Sequence, residues 1–413
     1  MRVLSLSHPT QHINGTILLP SSKSISNRVL ILKQIVDSGI ELLNLSDADD
    51  TVLMQLALSK KHGTVNLKNA GTCMRFLTAF FAATQDSEII LLCDERMEKR
   101  PIKELVNVLR QLGAEIEYIN KEGFPPLKIK GKQLNGGQIQ ISASASSQFV
   151  SALMMIAPRC KTDLTIELTG AIASQPYIDM TASLMNQFGI STTFRNNIIR
   201  ISTSNIKRQT SNIFVESDWS AASYWYAMVA LSAEAEILLP DLSLESLQGD
   251  SRICSYMEFF GVQTISQTSG VLLKKQPSPP TKPAEMNLVN EPDLAPTLAV
   301  IAAATHTPIV LTGLQNLAIK ESNRLLALET ELNKFGFRAK AINNSLQIHG
   351  TYTPVAGTPV VHTYGDHRMA MAFTPLALLF DQIIIQDPGV TEKSYPHFWK
   401  DIQSVGFSIS HTG

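Results

Sequence analysis

Ten residues near the N-terminus, Leu19-Pro20-Ser21-Ser22-Lys23-Ser24-Ile25-Ser26-Asn27-Arg28, hold two cations and four hydroxyls. Ile17, Leu18 and Leu19 read as the end of a buried strand that Pro20 breaks, and Ile25, Val29, Leu30 and Leu32 then recur at helical spacing. The serines therefore open a helix. Free backbone N–H groups and the positive end of the helix dipole favour an anion there, and Lys23 and Arg28 add full charges. A small polyanion is the expected ligand, although a serine cap between two solvated cations would look the same in isolation.

Later stretches repeat the theme. Asn69-Ala-Gly71-Thr-Cys73-Met-Arg75 precedes the apolar run Phe76, Leu77, Ala79 and Phe80, and its small residues let backbone approach a ligand. Arg96 lies in the charge run Asp94 to Pro101, the kind of stretch that usually faces solvent. Ser146, Ser147 and Gln148 lead into the apolar helix Val150 to Ile156, and Ser174 with Tyr177 opens another. Asp293 stands at a helix start in Asn290-Glu-Pro-Asp293. In Asn316-Leu-Ala-Ile-Lys320-Glu321-Ser-Asn-Arg324, Lys320 and Arg324 are four apart and are expected on one helical turn, where like charges repel unless an anion lies between them. Tyr364-Gly-Asp366-His367-Arg368 opens the apolar helix Ala370 to Ala377, and an arginine backed by Asp and His is costly to bury without a ligand. Lys393, in Lys393-Ser-Tyr-Pro396, closes the series.

Arginine forks suit carboxylate and phosphate. The pattern suggests two small anionic substrates, with a few carboxylates for proton transfer. No P-loop, GxGxxG, GxSxG or HExxH pattern occurs, which argues against nucleotide hydrolysis, nicotinamide chemistry, serine hydrolysis and zinc proteolysis.

The elements that must position these residues show a period. Helix-ending phrases recur at Gly113, Gly189, Gly261, Gly336 and Gly406, each followed by a strand-like run. A glycine just past an amphipathic helix is the left-handed cap that turns the chain into a strand. With a weaker member at Gly63, six units of about 70 residues are implied, one of them short by about 20. Three such units per domain is the economical grouping. Hinges are expected near Pro20 and Val215, with a cleft between the halves, and residues 1 to about 20 form a strand pair that could join either half.

With 413 residues, 44% hydrophobic and 17% charged, the chain can bury large cores. A net charge of −1 supplies no global field for nucleic acid or anionic membrane, so any cationic site must be local. Cys73, Cys93, Cys160 and Cys254 lie far apart without a CxxC pair, which suits reduced thiols and no metal site. The uncharged stretch Ala295 to Leu314 is broken by Pro296, His306 and Pro308 and reads as a buried helix (Leu298 to Ala304), a turn and a strand (Ile309 to Leu311), not as a membrane span. No basic-then-apolar leader is read at the N-terminus, and a cytoplasmic location is expected.

Taken together, LPSSKSISNR, NAGTCMR, SASSQF, SQPYI, IKESNRL and YGDHRMAM run in order from residue 19 and resemble the 5-enolpyruvylshikimate-3-phosphate synthase family, over nearly the whole chain. The resemblance implies an α/β fold: a two-domain inverse α/β barrel in which each domain is built from three βαβαββ repeats, here with one repeat shortened. It implies residues 21–215 as the N-terminal domain, and residues 1–20 with 216–413 as the C-terminal domain. The implied reaction is transfer of the enolpyruvyl group of phosphoenolpyruvate to the 5-hydroxyl of shikimate 3-phosphate, in chorismate biosynthesis, through a tetrahedral intermediate with release of phosphate. No metal or organic cofactor, nucleic acid or membrane is implied, and a monomer is expected.

By motif, Lys23, Ser24 and Arg28 would contact shikimate 3-phosphate, Ser146, Ser147 and Ser174 would hold its phosphate, and Asn316 and Lys320 match further contacts. Gly71, Arg96, Arg324, Arg368 and Lys393 match the phosphoenolpyruvate pocket, with Lys23 also reaching that substrate and Gln148 between the two. Asp293 matches the residue that accepts the 5-hydroxyl proton, and Glu321 with Lys23 would handle the proton at the vinyl carbon. Departures from the family pattern are Ser21 for glycine, Asn323 for aspartate and Cys73 for alanine, and Asp50 to Asn69 is much shorter than the family segment, which carries extra strands. The alternatives are UDP-N-acetylglucosamine enolpyruvyl transferase, which would have a lysine-asparagine pair at Lys23-Ser24, and a non-catalytic relative that binds anions or RNA ends.

Overall fold

Gly113, Gly189, Gly261, Gly336 and Gly406 all adopt positive φ, between +76° and +102°, in the computed structural model of the chain. Three of them close full Schellman motifs. Gly113 N–H reaches the Arg110 carbonyl and Ala114 N–H the Leu109 carbonyl, with the same pairs at Gly189–Asn186 and Ile190–Met185, and at Gly406–Gln403 and Phe407–Ile402. Gly63 differs. Its helix ends at Leu58, and Gly63 is the second residue of the strand His62–Asn66, so its φ of +95° serves the strand rather than a cap.

The structure describes residues 3–36, 39–142, 146–204, 206, 212–277 and 283–411. The chain divides into two compact units, Ser22–Val215 and Met1–Ser21 with Glu216–Gly413. The Ser22–Val215 unit carries helices α1 (Lys23–Val36), α2 (Asp49–Leu58), α3 (Gly71–Ala82), α4 (Glu95–Glu98), α5 (Lys103–Gln111), α6 (Ser147–Ile156) and α7 (Gln175–Gln187). The second unit carries α8 (Trp219–Leu231), α9 (Ile253–Glu258), α10 (Ala295–Ala304), α11 (Arg324–Lys334), α12 (His367–Phe373) and α13 (Phe398–Ser404).

Among the described residues the strands form five four-stranded sheets and one two-stranded sheet, three sheets to each unit. One pairing scheme recurs. In the sheet of His62–Asn66, Glu88–Leu92, Glu115–Tyr118 and Leu127–Lys130, the first strand runs parallel to the second, the second is antiparallel to the fourth, and the third and fourth form a hairpin. A parallel pair needs a crossover, which α3 supplies, and α5 then connects to the hairpin, giving βαβαββ. The N-terminus completes two sheets of the second unit. Val3–Ser7 lies between Ile383–Gln386 and Ser408–His411, and His12–Thr16 runs parallel to Glu234–Pro240. His8 fastens this segment: its Nδ1 accepts from Gln11 N–H and its Nε2 sits 3.0 Å from the Val405 carbonyl. The two-stranded sheet, Leu42–Leu43 with Ile213–Phe214, belongs to the repeat of α1 and α2, where the short Asp50 to Asn69 stretch has no room for a hairpin.

One sequence expectation shifts. The first strand pair ends at Thr16, so Ile17, Leu18 and Leu19 follow it, with Leu18 exposed. Residues Ala295–Ala304 are one helix and Ile309–Thr312 a strand, so the uncharged stretch is interior; among the described residues no helix is long and apolar enough to cross a membrane.

Each unit has inner helices, apolar all round, and outer helices with one apolar face. All ten residues of α10, all seven of α12 and twelve of thirteen of α8 are buried, as are eleven of twelve in α3 and eight of ten in α6. A helix of that composition can only be central. On α8, Trp219, Tyr224, Trp225 and Tyr226 are buried, each side chain contributing roughly 2–3 kcal/mol through apolar burial. Trp225 Nε1 donates to the Tyr395 hydroxyl at 3.2 Å. Helices α3, α6, α10 and α12 each follow the first strand of their repeat, so their N-termini lie beyond carboxyl ends of strands, where open α/β sheets bind ligands.

Candidate active site

In the Ser22–Val215 unit, Arg28 on the second turn of α1 ties the helices together. Its Nε donates to Thr181 Oγ1 on α7 at 2.8 Å, Nη1 to the Ser24 carbonyl at 2.8 Å, and Nη2 to Ser151 Oγ on α6 at 3.3 Å and the Tyr177 carbonyl at 3.4 Å. The guanidinium also lies 5.3 Å from the Phe76 ring and 5.8 Å from the Tyr177 ring. Burial pushes its pKa down to about 10, which leaves it charged at neutral pH. Among the described residues no carboxylate pairs with it, so its field is uncompensated.

Lys23, at the first residue of α1, sits 3.3 Å from the buried Asp50 carboxylate at the start of α2. Ser146 caps α6, its hydroxyl accepting from Gln148 N–H at 3.2 Å, and Ser147 is the first helical residue. The Gln148 amide donates to Thr72 Oγ1 at 3.2 Å, which brings the starts of α6 and α3 together. Ser174 precedes α7 in a left-handed conformation, φ 58°. Gly71 opens α3 between two buried arginines: a Cβ there would lie 2.5 Å from Arg100 Nη1 and 2.7 Å from Arg75 Nη1. Arg96 is not part of this group. It is exposed on α4.

Among the described residues of the second unit, four cations and four carboxylates form one lattice. Arg324 Nε donates to Asp366 Oδ2 at 2.7 Å, Nη1 to Asp293 Oδ1 at 2.9 Å and Nη2 to Glu321 Oε2 at 2.9 Å. Lys393 Nζ donates to Glu321 Oε1 at 2.9 Å, and Lys320 Nζ lies 3.5 Å from Asp293 Oδ1. Arg368, on the first turn of α12, donates to Asp293 Oδ2 at 3.0 Å and to Ser220 Oγ, at the start of α8, at 3.3 Å. Asp366 caps α12 by accepting from Arg368 N–H at 3.0 Å. Ser220 in turn donates to the buried Asp250 carboxylate. Burial alone would raise the Asp293 carboxyl, but Arg368, Lys320 and Arg324 outweigh it and hold the group far below the usual carboxylate range. Arg324 is moved the other way: burial opposes its charge, and Asp366, Glu321 and Asp293 overcome that and raise it. Burial lowers Lys320.

One local expectation fails here. Lys320 and Glu321 lie in a turn ahead of α11, which begins at Arg324 behind an Asn323 cap, so Lys320 and Arg324 do not share a helical turn. Asp293, between them, relieves their repulsion. Asn316 is half-buried at the start of the Leu317–Ile319 turn, and no hydrogen bond joins it to this lattice among the described residues. The described residues gather no group of three or more His, Cys, Asp or Glu suited to a metal ion.

The family described as EPSP synthase (3-phosphoshikimate 1-carboxyvinyltransferase) matches residues 55–402. A Bacteroides fragilis protein named 3-phosphoshikimate 1-carboxyvinyltransferase is 45% identical over 413 residues, 99% of each chain. The chain belongs to the EPSP synthase family. A Mannheimia haemolytica protein of the same name is 34% identical, covering 96% of this chain and 98% of that one. Among solved structures, an EPSP synthase from Acinetobacter baumannii superposes with a TM-score of 0.80 at 20% identity over all of both chains, and the enolpyruvyl transferase NikO from Streptomyces tendae with 0.74 at 14%. At that identity the structural likeness establishes the fold, here the two-domain α/β architecture of this family.

Four residues outside the motifs that match the EPSP synthase family were not singled out from the sequence: Asp50, Arg100, Ser220 and Asp250. Arg100 belonged to a charge run that looked solvated, and only its burial against Gly71 distinguishes it from Arg96. Asp50, Ser220 and Asp250 carry no spacing signal; each is found only through the cation or hydroxyl it touches.

Proposed function

We propose that the chain transfers the enolpyruvyl group of phosphoenolpyruvate to the 5-hydroxyl of shikimate 3-phosphate. The 5-hydroxyl oxygen bonds to C2 of phosphoenolpyruvate while C3 gains a proton; C3 then loses a proton and the C2–O bond to phosphate breaks. Lys23, Ser24, Arg28, Ser146, Ser147, Gln148, Ser174, Asn316 and Lys320 take shikimate 3-phosphate. Phosphoenolpyruvate falls to Lys23, Gly71, Arg96, Gln148, Arg324, Arg368 and Lys393. Asp293 accepts the 5-hydroxyl proton, and Glu321 with Lys23 serves the C3 proton.

The observation that carries this reading is the balance of the second unit's lattice against the uncompensated Arg28. Asp293 is too heavily ion-paired to be a useful base as it stands. Anionic substrates compete for Arg324, Arg368 and Lys320, and each cation drawn toward a phosphate or carboxylate returns basicity to Asp293. Substrate binding thereby switches on the base that the reaction needs, and the same cations stabilise charge as the phosphate leaves. Exposed Arg96 fits a role that begins only when substrate arrives.

The test is phosphate release by the purified chain given both substrates. One phosphate per enolpyruvyl product, and none when either substrate is omitted, is the expected result; a chain with no turnover would end the proposal. The protein is further proposed to act as a cytoplasmic monomer, a mass that sedimentation measures directly.

A further inference from the structure

Asp250 has no part in the chemistry above, yet it is buried against it. It lies in the short helical turn Gly249–Arg252 and is 3% exposed. Its Oδ2 accepts from the Ser220 hydroxyl, and Ser220 Oγ accepts from Arg368 Nη2 at 3.3 Å. The same Nη2 donates to Asp293 Oδ2 at 3.0 Å, and Nη1 to the Asp293 carbonyl at 3.3 Å. One hydroxyl thus joins a second buried carboxylate to the guanidinium that grips the base. Among the described residues Asp250 Oδ1 has no hydrogen-bond partner, a costly arrangement for a group that only fills space.

The groups that face Asp250 are Ser220 and Asp218 at the start of α8, Asp293 ahead of α10 and Arg368 on α12. Burial raises its carboxyl most and Asp293 adds to the rise; Arg368 and the Ser220 hydroxyl oppose them, and the result is about 7. We propose that Asp250 is a positioning residue that, through Ser220, shares the Arg368 guanidinium with Asp293 and so keeps Asp293 a stronger base than it would be with Arg368 to itself. Ionised, Asp250 orients the Ser220 hydrogen toward itself and leaves a lone pair of Oγ for Arg368. Protonated, it loses both the charge that draws Arg368 away and the repulsion that raises Asp293. The sharing therefore operates above about pH 7 and fades below it.

This inference rests on the proposed role of Asp293, so its test has an arm that needs no turnover. In the full-length chain with carbon-13 in its aspartate carboxyls, the Asp293 resonance is expected to move through a step near neutral pH in the wild type, to lose that step in Asp250→Asn, and to show a smaller one in Ser220→Ala, where only the direct repulsion remains. Any step in Asp250→Asn, or an undiminished step in Ser220→Ala, overturns the coupling. In the kinetic arm, Asp250→Asn lowers kcat about tenfold at pH 8 with both KM values within about twofold, and is indistinguishable from wild type at pH 6, where the wild type is itself protonated. A merely structural role would cost activity equally at both pH values, and that outcome would overturn the proposal. Ser220→Ala should copy the pH 8 defect and Ser220→Thr, which keeps the hydroxyl, should not. Absence of turnover in the wild type would defeat the proposed reaction and leave the resonance to judge the coupling.

Discussion

Asp293 is held by three cations, and that crowding makes its removal easy to predict. Asp293→Ala is expected to lower kcat by about 10²–10⁴ while calorimetric binding of shikimate 3-phosphate persists; unchanged turnover at saturation would remove it from the chemistry. Asp250 gives the opposite kind of expectation. Its carboxyl is raised from 3.8 to about 7 in the folded chain, so between those values the folded state holds a proton that the unfolded state has lost. Stability tied to Asp250 is therefore full below about pH 4 and declines as pH rises through 7. Asp250→Asn cannot ionise, so at pH 8 it should melt higher than wild type, by an amount on the order of a few kcal/mol at most, with little difference at pH 4. A lower melting temperature at pH 8 would contradict the buried charge. A substitution that stabilises while slowing the reaction is what a buried functional carboxylate should give.

Helix ends are where the sequence was easiest to read. Gly113, Gly189, Gly261, Gly336 and Gly406 follow helices because an αL residue satisfies the last carbonyls, and glycine takes that conformation without a Cβ penalty. Gly63 matched the phrase but not the element, because what precedes it is a turn, Ser59 to Lys61, already past the helix end. The two kinds separate experimentally. At Gly336 a Cβ would stand 2.0 Å from the Thr353 carbonyl oxygen, whereas at Gly63 nothing lies within 4 Å. Gly63→Ala should then cost about 1 kcal/mol of conformational strain alone, and Gly336→Ala clearly more, about 2–4 kcal/mol; denaturation midpoints with unchanged m-values measure both, and equal losses would mean the backbone at Thr353 yields freely. Lys320 and Arg324 mark the limit of such reading. Their spacing suggested a helix, but Asn323 caps α11 between them, and tertiary pairing with Asp293 replaced the helical neighbour relation.

At the scale of the whole chain, Lys23 belongs to one unit and Asp293 to the other. If the protein acts as a monomer, Lys23→Ala and Asp293→Ala should each be inactive and should stay inactive when mixed; recovered phosphate release on mixing would show that two copies share a site. The sequence by itself determined the repeat, the helix starts and the residue types offered there, since capping, apolar periodicity and charge are local properties written in a few neighbouring residues. It also carried the family likeness through motifs spread from residue 19 onward. What only the tertiary structure decided is which charges meet. Arg100 rather than Arg96 lies against Gly71, Asp50 meets Lys23, and Asp250 reaches Arg368 through Ser220, because burial and pairing depend on side chains tens to hundreds of residues apart arriving at the starts of the same inner helices.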